Sequence, residues 1–157
     1  MNKTNAMRQL DKAGIAYEPI EYEVDENDLS GMHISHETGI DPQIMFKTLV
    51  ARGDKKGIVV FCIPVNCELD LKKCAVAAGD KRVELIAVKE LLGLTGYIRG
   101  GCSPIGMKKK FPTFFDETAI LFDKITVSAG VRGCQLLLDR GQLIDFVGAK
   151  LCNLTVV

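Results

Sequence analysis

Apolar and polar residues alternate along several stretches of the chain, with the period of a half-buried β-strand. The first is Ile15–Val24, "IAYEPIEYEV", in which Pro19 indicates a sheet edge or a bulge. Residues Phe46–Pro64, "FKTLVARGDKKGIVVFCIP", predict a hairpin whose second strand is apolar on both faces and therefore central in its sheet. Further strands are predicted at Gly96–Gly100, Thr113–Asp116, Lys124–Ser128, Gln135–Leu138 and in the terminal segment "KLCNLTVV".

Between these strands, apolar residues spaced three or four apart predict short helices that end at glycines. The predicted helices are Asn5–Ala13, His33–Thr38 and the segments "ELDLKKCAVAAG", "AVKELLGLTG" and "RGQLIDFVGA". In the third segment Asp70 is a candidate N-cap and Gly79 follows the last turn. Several strands are joined by connections too short for parallel crossovers. The pattern therefore predicts an α+β fold with a curled, mixed, largely antiparallel sheet, barrel-like, and flanking helices.

Length and charge narrow the class of protein. The 157 residues predict one domain spanning residues 1–157. Twenty basic residues balance twenty acidic ones, so any contact with nucleic acid must come from a local patch. The longest apolar run, Gly57–Val65, is too short to span a bilayer, and the N-terminal segment lacks a signal-peptide core. With six cysteines and no CxxC pair, we expect reduced thiols, no membrane contact and a cytoplasmic location.

The stretch Tyr97–Asp116, "YIRGGCSPIGMKKKFPTFFD", is the most unusual in the chain. Gly101 and Gly106 bracket four residues, but Met107 stands where a phosphate-binding P-loop requires lysine. Pro104 also removes a backbone N–H from the phosphate cradle. The stretch is therefore not a P-loop.

Two interpretations of the glycine-rich stretch remain open. Gly100 and Gly101 could let the backbone approach a ligand while Pro104 fixes the turn, so that N–H groups and the Ser103 hydroxyl stabilise charge on a reacting carbonyl. Alternatively, the stretch is a glycine-rich corner of a curled sheet. The following run Lys108–Lys110 could likewise contact phosphates or form a solvated edge that deters strand addition.

Lys47 is the unexpected residue of its predicted strand. In "FKTLV" it shares a face with Leu49 and Ala51. It either extends its ammonium group to solvent at the strand end or holds that group in a pocket for an anionic or carbonyl group.

The remaining candidates for chemistry are weaker. His33 and His36 have helical spacing but no third ligand, so we predict neither a metal site nor a cofactor. Cys102 lies in the glycine stretch, but no Cys-His-Asp arrangement accompanies it. Ser128 and Gly130 form a second small-residue turn at a strand end.

Several stretches together resemble one family. "KTNAMRQLDKAGIAYE", "FKTLV", "ELDLKK", "TGYIRGGCSPIGMKKKFPTFFD" and "ITVSAGVRG" follow the order and spacing of the YbaK/EbsC-type aminoacyl-tRNA deacylases, relatives of the editing domain of bacterial prolyl-tRNA synthetases. The resemblance covers nearly the whole chain. It implies a YbaK-like α+β fold and an enzyme that removes the wrong amino acid from tRNA.

The resemblance also implies roles for particular residues. Lys47 matches the signature lysine and is implied to be catalytic, holding the 3′ ester of the substrate. The substrate-binding positions implied by the family are Tyr22, Ser30, Gly31, Thr48, Gly100, Gly101, Ser103, Pro104 and Ser128. Two positions differ from some members: Ser30 replaces an aromatic residue, and Gln135 replaces an aspartate. Both differences concern substrate choice.

The implied activity is trans-editing of Cys-tRNA(Pro), with Cys-tRNA(Cys) as a further substrate, through attack of the substrate's own thiol on its ester. Aminoacyl-tRNA is the implied partner, and a complex with prolyl-tRNA synthetase is left open. Two alternatives also remain: a water-using hydrolase of alanyl- or another small aminoacyl-tRNA, and a non-catalytic module that binds tRNA or a synthetase.

Overall fold

Residues 2–157 are described by the computed structural model and form five α-helices and eight β-strands. In chain order these are α1 (Asn5–Ala13), β1 (Tyr17–Glu21), α2 (Gly31–Thr38), β2 (Phe46–Gly53), β3 (Gly57–Pro64), α3 (Leu71–Ala78), β4 (Val83–Leu85), α4 (Val88–Thr95), β5 (Thr113–Asp116), a 3₁₀ helix (Glu117–Leu121), β6 (Lys124–Ser128), β7 (Cys134–Asp139), α5 (Arg140–Val147) and β8 (Lys150–Cys152). No helix in this part of the chain is long and apolar enough to cross a membrane.

The helix ends follow the capping residues of the sequence. Asp70 accepts hydrogen bonds from the backbone N–H groups of Lys72 and Lys73, and Gly79 ends α3 in the left-handed region. Ser30 caps α2 in the same way, by accepting from the His33 N–H. Side-chain caps of this kind fix where a short helix begins, because the first backbone N–H groups have no partner within the helix.

The strands form two sheets. β1, β7 and β6 form a three-stranded antiparallel sheet, and β4, β2, β3, β5 and β8 form a five-stranded mixed sheet in that order. β5 is parallel to both β3 and β8, whereas β2 is antiparallel to β3 and β4. The α+β class is therefore confirmed, as are the central position of β3 and the edge position of β1, which contains Pro19.

Two features predicted from the sequence are wrong. The sheets do not curl into one barrel, because β1, β4 and β8 each have a strand neighbour on one side only. Gly96–Gly100 is not a strand, because Gly96 and Gly100 both adopt a φ of 85° and the Gly101 N–H donates to the Ile98 carbonyl in a turn. The three-residue strand β4 was not predicted.

Two large hydrophobic cores hold these layers together, and a smaller cluster of Ile34, Met45 and Val65 lies at α2. The larger core lies between the two sheets and includes residues of α1 and α5; its fully buried members include Leu10, Phe46, Phe115, Leu136 and Leu143. The second lies on the opposite face of the five-stranded sheet, against α3 and the C-terminal segment, and includes Phe61, Ile63, Cys74 and Leu154. Each large aliphatic side chain so buried stabilises the fold by roughly 1.5–3 kcal/mol.

Tyr97 joins two loops that border the larger core. Its hydroxyl donates to the Ile105 carbonyl, and its ring packs against Gly106 and Gly130. Both glycines adopt positive φ angles, 78° and 97°. A Cβ atom at either position would lie 2.9 Å from a Tyr97 side-chain atom. The ring therefore fixes the loop that follows α4 against the turn between β6 and β7.

We expect Gly130→Ala to lower the free energy of unfolding by at least about 1–2 kcal/mol, because a side chain is strained at this φ and would collide with Tyr97. Gly93→Ala is the control. Gly93 lies inside α4 with open space around it, so the substitution should stabilise the protein by about 0.5–1 kcal/mol. Urea denaturation measures both changes, and equal stability of the two variants would contradict the assigned Tyr97 packing.

Candidate active site

A gap in strand pairing lies along one edge of β2. On the side opposite β3, β4 pairs only with Ala51–Gly53, and the bridge to β6 lies at Met45. Between these points, Phe46–Leu49 borders a cavity of about 530 Å³. Other walls of the cavity come from β4, β6 and β7 and from the loops before α2 and after α4.

The backbone of Thr48 faces this gap. In an antiparallel ladder one residue directs both its N–H and its C=O to the same edge, and alternate residues share that edge. The Ile44 carbonyl accepts from the Thr126 N–H, and the Val50 carbonyl accepts from the Ile86 N–H. Thr48 lies between Ile44 and Val50 and, in the alternation along the strand, faces the same edge as they do. Its backbone N–H and C=O are therefore directed into the cavity.

The cavity carries positive charge and neutral polar groups on an apolar wall. Its apolar lining includes Leu29, Met32, Ile34, Met45, Phe46, Leu49, Val50, Val65, Leu85, Ile86, Val88 and Leu91. Its polar lining consists of Ser30, Lys47, Thr48, Arg99, Cys102, Ser128 and Gln135. The lining contributed by residues 2–157 includes no aspartate or glutamate. In the same part of the chain, no three His, Cys, Asp or Glu side chains are grouped to hold a metal ion.

Lys47 is half-buried in this cavity and has no ion pair or side-chain hydrogen bond with any residue in the range 2–157. Burial lowers its pKa, because an ammonium group is poorly solvated there. Cys67 and Glu68 act in the opposite direction and raise the pKa. The site thus holds a cation that its surroundings only partly compensate.

Only part of the glycine-rich loop reaches the cavity. Gly100 and Cys102 line it, whereas Gly101, Ser103 and Pro104 do not. The Ser103 side chain is fully buried and its Oγ accepts from the Ile105 N–H at 3.2 Å. Pro104 borders a separate cleft of about 200 Å³. These residues therefore determine the path of the loop but form no part of the cavity surface.

Gly101 is required by close packing between backbones. A Cβ atom there would lie 3.0 Å from the Val131 carbonyl carbon. Gly31 plays a similar part on the other wall, where a Cβ would lie 2.3 Å from Cγ1 of Val65. Both glycines let neighbouring segments approach so closely that larger residues would displace the cavity wall.

Ser128 lines the cavity on the side of the three-stranded sheet, whereas Tyr22 does not line it. The Ser128 Oγ accepts from the Gly130 N–H at 3.1 Å. Tyr22 lines a small adjoining cleft that also includes Gly100. The Tyr22 hydroxyl is buried without a hydrogen-bond partner in residues 2–157, and burial raises its pKa.

Arg99 and Gln135 also line the cavity, although sequence patterns did not assign them to it. The signals were present. Arg99 directly precedes Gly100, and the two strands predicted at Lys124–Ser128 and Gln135–Leu138 pair in the structure so that Gln135 lies opposite Ser128. The Gln135 Oε1 accepts from the Thr126 hydroxyl at 3.1 Å, which holds the amide in the buried wall.

Cys102 has the wrong electrostatics for a nucleophile. Burial raises its pKa to about 12. Its thiol is therefore protonated near neutral pH, whereas the thiolate is the reactive form.

Comparison with known proteins identifies the family of the chain. Residues 33–146 match the family model described as an aminoacyl-tRNA editing domain. A protein of Enterococcus faecalis, described as a candidate Cys-tRNA(Pro)/Cys-tRNA(Cys) deacylase named EbsC, is 46% identical over 153 residues, which cover 98% of this chain and 93% of that protein.

Two solved structures have the same fold. The crystal structure of a candidate trans-editing enzyme for prolyl tRNA synthetase is similar with a TM-score of 0.84 and 20% identity, covering 99% of this chain and 100% of that one. The crystal structure of a hypothetical protein gives a TM-score of 0.85 at 19% identity, covering 95% and 97%.

We expect Lys47→Met to be at least as stable as the wild type at pH 7, because methionine removes the cost of burying the ammonium group. The folded-state pKa is lowered, so this cost is fully present below that pKa and disappears as pH rises toward the unfolded value of about 10.4. The stability difference between variant and wild type should therefore narrow on going from pH 7 to pH 10.

Urea denaturation at a series of pH values measures this difference. Lys81→Met removes an exposed lysine and is the matched control, for which no such narrowing is expected. A Lys47→Met variant clearly less stable than wild type at pH 7 would contradict the burial assigned to Lys47.

Proposed function

This chain belongs to the aminoacyl-tRNA editing domain family, and from that premise we propose that it is an aminoacyl-tRNA deacylase that removes cysteine from mischarged Cys-tRNA(Pro), with Cys-tRNA(Cys) as a second substrate. The observation that carries the proposal is the half-buried, only partly compensated Lys47 beside the open edge of β2. The name of the Enterococcus relative supports the choice of amino acid and tRNA.

The cavity suits the 3′ end of an aminoacyl-tRNA. Its volume of about 530 Å³ lies within the roughly 300–1,000 Å³ of small-molecule sites. Cysteine is close to proline in size, so a synthetase pocket cannot exclude it by shape alone, and a second site that removes the error is the usual remedy. A complex with prolyl-tRNA synthetase would bring this second site to the mischarged product. The structural similarity to a candidate trans-editing enzyme for prolyl tRNA synthetase supports such a complex.

Lys47 and Thr48 would act on the ester carbonyl. The Lys47 ammonium would bind the carbonyl oxygen or the adjacent phosphate, and the Thr48 backbone N–H would donate to the oxyanion that forms during attack. Fixed donors in a site with little water are worth several kcal/mol in such reactions. Gly100 offers a close approach on the facing wall.

The attacking group would be the substrate's own thiol. Its sulfur loses a proton and bonds to the carbonyl carbon, and the tetrahedral intermediate then expels the 3′ oxygen of the tRNA, which takes up a proton. The products are a cyclic thiolactone and free tRNA. Lys47 and Arg99 favour this step, because cations beside a thiol stabilise the thiolate. The protein then contributes position and charge but no nucleophile.

The other residues of the site would shape substrate binding. We assign Ser30, Gly31, Thr48, Gly100 and Ser128 to direct contact, since they line the cavity. Gly101, Ser103 and Pro104 would act indirectly, by fixing the path of the loop that presents Gly100. Tyr22 would close the far end from its adjoining cleft.

We expect the wild type to deacylate Cys-tRNA(Pro) much faster than Ala-tRNA(Pro) or Ser-tRNA(Pro), because only cysteine carries a thiol. Lys47→Met should lose on the order of 10²–10³-fold in the single-turnover rate, as when one oxyanion donor is removed. Release of labelled amino acid measures the rates, and mass spectrometry identifies the product. Free cysteine without thiolactone would support a water-using hydrolase instead, and tRNA binding without turnover would leave only a binding module.

We expect Cys102→Ala to retain most of its activity on Cys-tRNA(Pro), because a thiol with a pKa of about 12 is not the nucleophile. Single-turnover deacylation of wild type and variant measures this, with Cys152→Ala as a control at a thiol that does not line the cavity. An acyl adduct trapped on Cys102, or loss of turnover while the tRNA still binds, would contradict the substrate-thiol mechanism.

A further inference from the structure

The charges around the cavity bear on a group of the substrate that takes no part in bond breaking, its α-amino group. This group is two covalent bonds from the ester carbonyl carbon, so it enters the cavity whenever the ester lies beside Lys47. In the lining contributed by residues 2–157 it meets the half-buried Lys47 and the exposed Arg99, and no carboxylate.

Acidic residues outside the lining compensate for these cations only in part. Glu68 acts on Lys47 from outside the lining. Asp28, in the loop before α2, accepts from the Ser30 N–H at 3.1 Å and lies 3.7 Å from His33. On α4, Glu90 is paired with Arg52 at 2.9 Å. No wall of the cavity therefore offers an anion to an ammonium group.

Two costs decide the form in which the amine binds. A second unit charge about 4 Å from Lys47, at an effective dielectric constant of about 20, would weaken binding by nearly a thousandfold. Free α-amino groups have a pKa of about 7.7–8.0, so binding the neutral form at pH 7 costs only about tenfold. The neutral form of the amine is favoured, because losing its proton weakens binding less than placing a second cation beside Lys47 does.

We infer that the cavity accepts the aminoacyl ester with its α-amino group uncharged, an inference that rests on the proposed function. Ser128, Gln135 and the Thr48 carbonyl provide neutral hydrogen-bonding groups for such an amine. An ester whose amine is absent should then bind at least as well as the natural one at low pH.

Two stable amides of 3′-amino-3′-deoxyadenosine test this, one carrying cysteine and the other 3-mercaptopropanoic acid, which is cysteine without its amine. Calorimetry under reducing conditions gives their dissociation constants from pH 6 to pH 9. Below the pKa of the amine, the cysteinyl ligand should weaken relative to its deaminated counterpart by about tenfold per pH unit. A ratio independent of pH, or one that favours the cysteinyl ligand at pH 6, would overturn the inference.

Gln135→Glu adds a carboxylate to the cavity wall, and Gln135→Met is its neutral control. We expect Gln135→Glu, but not Gln135→Met, to reduce the weakening of cysteinyl-ligand binding at low pH. If either variant fails to fold, the ratio of the two dissociation constants of the wild type, followed across pH, still tests the inference. Equal binding of the two ligands together with normal deacylation would overturn this inference alone, whereas binding of neither ligand and no turnover would overturn the proposed function as well.

Discussion

The site depends on an interruption in the hydrogen bonding of β2. One edge of this strand is fully paired with β3, while the other is paired near its ends only, by β4 at Ala51–Gly53 and by the bridge between Met45 and Thr126. Backbone groups of a buried strand must find partners, so an unpaired stretch is costly unless water or a ligand reaches it. The cavity provides that access, and it places Thr48 and Lys47 side by side on one segment of backbone.

The burial of the Lys47 charge carries a cost in stability in this segment. Phe46 belongs to the larger hydrophobic core and Leu49 packs against the second, and burial of the Lys47 ammonium group between them lowers its pKa. A cation that is poorly solvated interacts more strongly with an incoming carbonyl or phosphate than one in water does. The chain thus holds an ammonium group whose burial is costly at a position where an apolar side chain would pack.

Local features were predictable from the sequence because they depend on residues near one another in the chain. The helix ends at Gly14 and Gly79, the edge strand containing Pro19 and the central β3 all follow from such signals. Gly96–Gly100 was wrongly predicted as a strand from its sequence pattern. Its two glycines instead adopt the left-handed region, which a strand does not allow.

The cavity itself could not be predicted, because it depends on contacts between distant segments. Lys47 stood out by its place on the strand, but the open edge beside it results from the register of β4 and β6, which no local pattern determines. Ser103 and Pro104 attracted attention by their chemistry, yet their side chains pack away from the cavity.

The short length of the open edge also bears on self-association. Unpaired strand edges are templates on which protein chains add to one another and aggregate. Here the open stretch, Phe46–Leu49, is roughly 13 Å long at about 3.3 Å per residue, and β4 and β6 block it at either end. A second chain that added a strand here could pair over fewer residues than an ordinary strand has, and it would have to bury the charge of Lys47. Detachment of β4 would extend the free edge, so the three residues of this strand protect the protein against aggregation as well as bounding its cavity.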